Sequence, residues 1–307
     1  MTSQASPHLI SLLESLSKEI ALQQFPAGAL YVVATPIGNI ADISLRALSV
    51  LERVDTIACE DTRTTGQLLK RYGLSKPLIA THQHNEVAAS QRIVERLRQG
   101  ERVALISDAG TPAISDPGTR VVDAVLNEGL IAIPIAGPSA AIAALSASGL
   151  SGAGFRFVGF LPSKEAQREA ALKILADSPA TLVFYEAPHR VIETVTAMRQ
   201  LLGEQRRLVI ARELSKLFEQ IHRCSLSEAA DWLAADPNRQ RGEFVLLIEG
   251  KPTDDANDAA LLEARRLLGI LLEACPVSQA AALAAKITGL KKNMLYALAL
   301  EMANHSG

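Results

Sequence analysis

Between residues 30 and 140 the chain runs three times from an apolar strand into a turn rich in glycine and proline. The first is Leu30-Tyr-Val-Val-Ala-Thr-Pro-Ile-Gly-Asn39, continuing to Ile43. The second is Val103-Ala-Leu-Ile-Ser-Asp-Ala-Gly-Thr-Pro112, and the third is Ile131-Ala-Ile-Pro-Ile-Ala-Gly-Pro-Ser-Ala140. Glycine in such a turn permits positive φ and removes side-chain bulk, so bare backbone can come close to a ligand. Any one of these turns is also what an ordinary strand-to-helix connection looks like. Three of them together predict one site at the carboxyl ends of parallel strands.

The pattern around the turns alternates. Apolar strands are expected at 30–34, 55–59, 77–80, 102–106 and 131–135, with helical spacing at 42–53, 62–72, 86–99 and 116–128. Asp116-Pro117-Gly118 reads as a helix start, with Asp as N-cap and Pro in the first turn. This alternation predicts an α/β protein with a parallel-rich sheet covered by helices. Gly149-Leu-Ser-Gly-Ala-Gly154 reads as a joint between two units. In the second unit, Phe155–Phe160, Thr181–Tyr185, Arg207–Ala211 and Phe244–Glu249 are strand candidates, and 165–177, 189–202 and 227–235 are helical. A polar linker, Lys251–Asp258, leads to helices at 259–274, 278–288 and 291–303. Leu9, Leu12, Leu13, Leu16 and Ile20 fall at helical spacing in a separate first segment, for packing or for contact with another copy. The expected division is a helical extension 1–26, an α/β domain 27–150, a second α/β domain 151–252 and a helical tail 253–307.

Composition removes several classes of function. A length of 307 residues suits about two domains. A net charge of −2 provides no global field for nucleic acid, so any basic patch must be local. Cys59, Cys224 and Cys275 form no CxxC and no metal spacing, which fits a reducing compartment and predicts a cytoplasmic protein. The first residues lack a basic region, and Glu14 interrupts their apolar stretch, so no signal peptide is expected. The uncharged run 129–150 is long enough for a bilayer, but Pro134, Gly137 and Pro138 break it. Strand, turn and small-residue helix is the expected reading, with no membrane partner.

Asp108-Ala-Gly-Thr-Pro-Ala-Ile-Ser-Asp-Pro-Gly118 is the densest motif. It lacks the Gly-Lys-Ser/Thr ending of a phosphate-binding P-loop and the GxGxxG of a dinucleotide site. Asp108, just past a strand, can accept from a ligand's hydroxyl or ammonium group. It can equally cap its own turn.

The strings LYVVATPIGNIADI, ACEDTRTT, HQHNE, LISDAGTPAISDPG, AGPSA, GFLPSK, FYEAPHR, ARELSK and GEFVLLIEG occur in this order. Together they resemble the ribosomal RNA small subunit methyltransferase I family, the 16S rRNA (cytidine-2′-O)-methyltransferases of the tetrapyrrole methylase superfamily. The resemblance covers roughly 30–250 and the tail around Val277–Leu300. It implies two α/β domains of tetrapyrrole-methylase type, a cleft between them for S-adenosyl-L-methionine, and a small helical unit at the C-terminus. It further implies that Pro36 and Ile37 touch the cofactor and that Asp108, Ala109, Gly110 and Ile114 line its methionine and ribose end. Ser139 and Ala140 would contact it from the other side, and Tyr185, Arg212 and Glu243 from the second domain. The implied partner is 16S rRNA in the small ribosomal subunit, and the superfamily commonly forms homodimers.

Polar residues cluster after three strands. Glu60-Asp61-Thr62-Arg63, His82 to Glu86, and Glu186 with His189-Arg190 are the groups concerned. His82, His84 and Glu86 have a metal-like spacing, but no second cluster or cysteine supports a metal, and none is expected. Arg63, His189 and Arg190 are candidates for holding RNA, since a planar guanidinium binds phosphate bidentately. Glu60 and Arg63 can instead form a structural ion pair. His84, Glu86 and Glu186 are the candidates for orienting or deprotonating a ribose 2′-hydroxyl.

In the tail, Lys291 and Lys292 mark a possible RNA contact within a helix–turn–helix, although charges over 255–307 balance. A helical cap or a dimer contact is the other reading of that unit. Two competing functions also remain: a C-methyltransferase for a tetrapyrrole precursor, and a non-catalytic RNA-binding module.

Overall fold

The computed structural model describes residues 6–82, 85–150, 152–251 and 255–304. The first unit opens with helix α1 (Pro7–Ala21) and then alternates strand and helix. Its elements are β1 (Ala29–Val33), α2 (Leu45–Arg53), β2 (Thr56–Cys59), α3 (Thr62–Arg71), β3 (Leu78–Ala80), α4 (Glu86–Arg98), β4 (Val103–Ile106), α5 (Thr119–Asn127), β5 (Ile131–Ile135) and α6 (Ala140–Ser148). Every pairing in the sheet is parallel, in the order β3-β2-β4-β1-β5. The strands that carry the three turns, β4, β1 and β5, are therefore neighbours.

Successive strand residues face opposite sides, and helices cover both sides, which is why these strands read as unbroken apolar runs. Tyr31, Val33, Ile57 and Ile106 pack on Ala47, Val50 and Leu51 of α2. Leu30, Ala58, Val103 and Leu105 pack on Ile93 and Leu97 of α4 and on Val121 and Val125 of α5. Each fully buried Leu or Ile contributes roughly 1.5–3 kcal/mol of transfer free energy.

Two helix starts differ from expectation. A 3-10 turn occupies Ile40–Asp42, and α2 begins only where the Ser44 hydroxyl accepts from the Ala47 N–H at 3.1 Å. Helix α5 starts at Thr119 rather than at Asp116.

The second unit comprises β6 (Phe155–Phe160), α7 (Glu165–Leu175), β7 (Thr181–Glu186), α8 (Val191–Leu202), β8 (Arg207–Arg212), β9 (Gln220–Ser225), α9 (Leu226–Ala234) and β10 (Phe244–Ile248). The strand order is β6-β7-β10-β8-β9, and only β6–β7 is parallel. Strand β9, Gln-Ile-His-Arg-Cys-Ser, was not foreseen. As an edge strand it buries too little to need an apolar pattern, and its polar residues mask it. Ser225 and Glu228 close a capping box that starts α9.

Helices α7, α8 and α9 cover one face of this sheet with Leu172, Val195, Met198 and Leu233. The other face is covered from the first unit: Ala141 and Ala144 of α6 pack on Val183, Val209, Ala211, Val245 and Leu247.

Three helices complete the chain: α10 (Asp255–Ala274), α11 (Val277–Thr288) and α12 (Lys292–Asn304). Their core is their own, built on Ala264, Leu268, Ala280, Ala284, Leu295 and Ala299. Small alanines let the helix axes approach closely. Among the described residues, no helix is long and apolar enough to cross a membrane. The uncharged run 129–150 forms β5, a turn and α6.

Candidate active site

The three turns are laced to one another by hydrogen bonds. The Thr35 N–H donates to the Gly110 carbonyl at 2.9 Å, and the Gly110 N–H donates back to Thr35 at 3.0 Å. The Thr35 hydroxyl donates to the Ser107 carbonyl at 3.0 Å, and the Thr111 hydroxyl to the Pro138 carbonyl at 2.9 Å. Gly110 has φ +81°, a left-handed conformation that a side chain rarely adopts, and a Cβ there would lie 3.4 Å from Ile37 Cγ2. The turns thus form one continuous backbone surface.

That surface is one wall of a cleft of about 400 Å³ between the two sheets. Ile37, Asp108, Ala109, Gly110, Ile114, Ser139 and Ala140 line it from the first unit, and Tyr185, Glu186 and Glu243 from the second. The Ala141 N–H donates to the Tyr185 hydroxyl at 3.3 Å, which joins the start of α6 to β7. Pro36 is not among the lining residues, and neither is Arg212. The Arg212 guanidinium is buried and braces a loop, donating to the Arg241 carbonyl at 3.1 Å and reaching the Phe218 carbonyl at 3.4 Å.

Among the described residues, the candidates for handling RNA and a proton do not gather in one place. Glu86 faces α5, where its Oε1 accepts from the N–H groups of Gly118 at 2.8 Å and Arg120 at 3.2 Å. Glu186 reaches the cleft, but its carboxylate is engaged. Oε1 accepts from the Ala187 N–H at 2.8 Å and Oε2 from the Thr194 hydroxyl at 2.6 Å, with Arg190 Nε 3.4 Å away. Arg190 Nη2 donates to the carbonyls of Leu161 at 2.9 Å and Pro162 at 3.2 Å, so its guanidinium is turned into the fold. Arg63 is exposed and pairs with Asp61 at 2.9 Å, rather than with Glu60. His189 is exposed within the turn before α8, and Lys291 and Lys292 are exposed at the start of α12. His84 lies outside the described residues, so the His82–Glu86 metal spacing has no complete geometry.

Sequence reasoning overlooked Asp116. It does not cap a helix; it lines the cleft beside Ser115. Burial holds its carboxyl above the usual range, the Asp108 charge adds to this, and the nearby Ser107 opposes it. Asp108 is raised chiefly by burial, against the Asp61 N–H that donates to its Oδ1 at 3.3 Å. Glu60 is raised by burial and by the charges of Asp108, Asp116 and Asp61. Gly118, with a φ of +136°, is the N-cap in its place.

These residues fit a ligand with an apolar body and a cationic centre. Ile37, Ile114, Phe244 and Val245 supply apolar wall, and the volume falls in the range of small-molecule sites. Carboxylates raised by burial and mutual repulsion are relieved by a nearby positive charge. A sulfonium bearing an amino-acid ammonium has that character.

Comparison with known proteins agrees with this architecture. Residues 29–230 match the family described as Tetrapyrrole (Corrin/Porphyrin) Methylases, and residues 258–303 match the RsmI C-terminal HTH domain. The chain is 50% identical over 280 residues to the Ribosomal RNA small subunit methyltransferase I of Pseudomonas aeruginosa, spanning 91% of this chain and 99% of that one. It is 47% identical over 273 residues to the protein of the same name from Haemophilus influenzae, spanning 89% and 96%. Among solved structures, the cobalt precorrin-4 methyltransferase CbiF superposes with a TM-score of 0.55 at 16% identity, over 74% of this chain and 98% of that one. Uroporphyrin-III-C-methyltransferase from Thermus thermophilus gives 0.53 at 19%, over 72% and 94%. At such identities the likeness concerns the fold.

Proposed function

Because the chain belongs to the ribosomal RNA small subunit methyltransferase I family, with a tetrapyrrole methylase core, we propose that it transfers a methyl group from S-adenosyl-L-methionine to the ribose 2′-oxygen of a cytidine in the decoding region of 16S rRNA. The observation that supports this most is the cleft of laced turns with Asp108 and Asp116 on one wall. When bound, the cofactor supplies a methyl group on an electrophilic cationic sulfur, so the protein need not generate a strong electrophile.

The chain's own tasks are binding, orientation and proton handling. Asp108 is placed to accept from hydroxyl or ammonium groups. The backbone of Ala109 and Gly110 presents polar atoms without side-chain bulk, and Ser139, Ala140 and Tyr185 hold the opposite wall. Such a frame would hold the donor so that the incoming oxygen can approach the methyl carbon in line, the positioning that a pre-activated donor requires. Cys59 is buried in the sheet and burial pushes its thiol up, so direct transfer is favoured over thiolate attack.

The RNA partner is the small ribosomal subunit, and the match of the tail to a helix–turn–helix domain supports a role for Lys291 and Lys292 in holding it. The protein acts in the cytoplasm and as a homodimer. In support of the latter, the α1 face bearing Leu9, Ile10, Leu12 and Leu13 is 42–49% exposed.

The test is methylation of unmodified small subunits, followed by nuclease digestion and mass spectrometry. A 2′-O-methylcytidine product is expected. A mark on a base atom, or transfer only to a tetrapyrrole precursor, overturns the reading.

A further inference from the structure

Two carboxylates have exchanged the roles that their sequence context suggested. Asp116 precedes Pro117 and Gly118 in the order of a helix start, yet α5 begins at Thr119 with Gly118 as N-cap and no capping side chain of its own. The free N–H groups at that helix end are taken instead by Glu86 of α4, at 2.8 Å and 3.2 Å. Asp116 is thereby released from capping, and its carboxylate belongs to the cleft.

Four carboxylates line the cleft among the described residues: Asp108, Asp116, Glu186 and Glu243. Glu186 already accepts from the Ala187 N–H and the Thr194 hydroxyl and is paired with the Arg190 cation, which makes it a weaker proton acceptor. Glu243 is tied to Lys216 at 2.7 Å, with a side chain 74% exposed. Asp108 takes the Asp61 N–H and sits on the turn that carries the proposed cofactor wall. Asp116 is in no ion pair among the described residues: Ser107 is the one neighbour that stabilises its carboxylate, and no cation is among the groups that perturb it.

We propose that Asp116 is the base that receives the 2′-hydroxyl proton during methyl transfer, an inference that rests on the 2′-O-methyltransferase reading above. As the ribose oxygen forms its bond to the methyl carbon, the carbon–sulfur bond breaks. Its electron pair stays on sulfur, giving a neutral thioether. The proton passes to the Asp116 carboxylate and then to water, and all charges balance. The titratable groups facing Asp116 are Asp108 after β4, Glu60 after β2 and Tyr185 on β7. Burial and then Asp108 make its carboxylate more basic than an exposed aspartate, which favours proton acceptance near neutral pH.

The experiment compares wild type with Asp116→Asn and Asp116→Glu on unmodified small subunits. Asp116→Asn is expected to lose about 100-fold or more in turnover at saturating cofactor, the range for a removed general base. Its affinity for S-adenosylhomocysteine by calorimetry should be unchanged. Its melting temperature should hold or rise, because a carboxyl with a raised pKa opposes folding at neutral pH. Asp116→Glu should recover part of the rate. The wild-type rate should fall with acid as one proton binds, and the residual rate of Asp116→Asn should lack that limb.

Turnover retained by Asp116→Asn overturns the proposal. So does a loss that disappears at saturating cofactor, which would confine Asp116 to pairing with the sulfonium and leave it no part in the proton transfer. A loss accompanied by weakened S-adenosylhomocysteine binding and a lower melting temperature overturns it in favour of a structural role. If wild type itself yields no 2′-O-methylcytidine, the parent reading fails. If wild type does and Asp116→Asn does equally, only the assignment of Asp116 fails.

Discussion

Gly38 of the first turn and Lys216 of the loop after β8 occupy one space: a Cβ on Gly38 would lie 2.5 Å from Lys216 Cγ and 3.0 Å from the Leu214 carbonyl oxygen. The loop is held in that place from both sides. Lys216 Nζ bridges Glu213 at 2.9 Å and Glu243 at 2.7 Å. The Ser215 hydroxyl accepts from the Asn39 N–H at 3.3 Å and donates to the Asp42 carboxylate. Glu213 and Ser215 adopt φ of +52° and +67°, so the loop keeps a costly backbone to make this seam. Gly38→Ala should therefore cost about 1–3 kcal/mol of overpacking at the seam. Calorimetry should show weaker S-adenosyl-L-methionine binding, and unchanged affinity would mean that the loop yields without disturbing the cleft.

Glu86 should prove structural. Its carboxylate satisfies two N–H groups at the positive end of α5. Glu86→Ala leaves them without a partner and should cost about 1–3 kcal/mol in denaturant unfolding. Glu86→Gln keeps an acceptor oxygen, so it should cost less and retain methyl transfer. Loss of transfer in a fully stable Glu86→Gln protein would return Glu86 to the chemistry.

Arg190→Ala should damage folding rather than RNA binding. The Glu186 side chain is 1% exposed, and Arg190 is the cation beside it. Removing one member of a buried pair typically costs about 3–5 kcal/mol. A large drop in melting temperature is expected. A stable variant with weakened binding to small subunits would contradict this.

The acidic wall predicts opposite pH trends for the free and the loaded protein. Glu60, Asp108 and Asp116 are all raised, so between the ordinary and the raised values the folded chain holds protons that the unfolded chain has released. Unfolding free energy from these groups therefore falls as pH rises through that interval. A cationic cofactor prefers the ionised carboxylates. The rise in melting temperature given by S-adenosyl-L-methionine should thus be larger near neutrality than at about pH 5. The neutral thioether product should show a smaller difference. Equal pH dependence for the two would exclude the carboxylates as partners of the sulfonium.

A chain ending at Gly250 should still bind cofactor but lose transfer to small subunits. The helices α10, α11 and α12 form a core of their own residues and, among the described residues, contribute none to the lining of the cleft. Full activity without them would make the tail a cap.

The turns were legible in the sequence because glycine and proline act locally: Gly110 needs its left-handed φ whatever surrounds it. The Asp116 assignment failed because a helix end can be capped by a distant side chain, and Glu86 stands 32 residues before Gly118. Arg190 and Arg212 looked like recognition groups, but a long guanidinium arm can also turn inward and satisfy carbonyls, and no local pattern separates the two outcomes. The apolar periodicity of β1, β2 and β4 was plain, whereas β9 carried none because an edge strand requires little.

Helix α6 belongs by sequence to the first sheet and by packing to the second. Any rocking of one sheet against the other must therefore bend the chain between Ile135 and Ala140, where Gly137, Pro138 and Ser139 lie. Ser139, the last residue of that pivot, also lines the cleft. A molecule seated against Ser139 and Ala140 would splint that pivot, so filling the cleft would stiffen the two-sheet body as well.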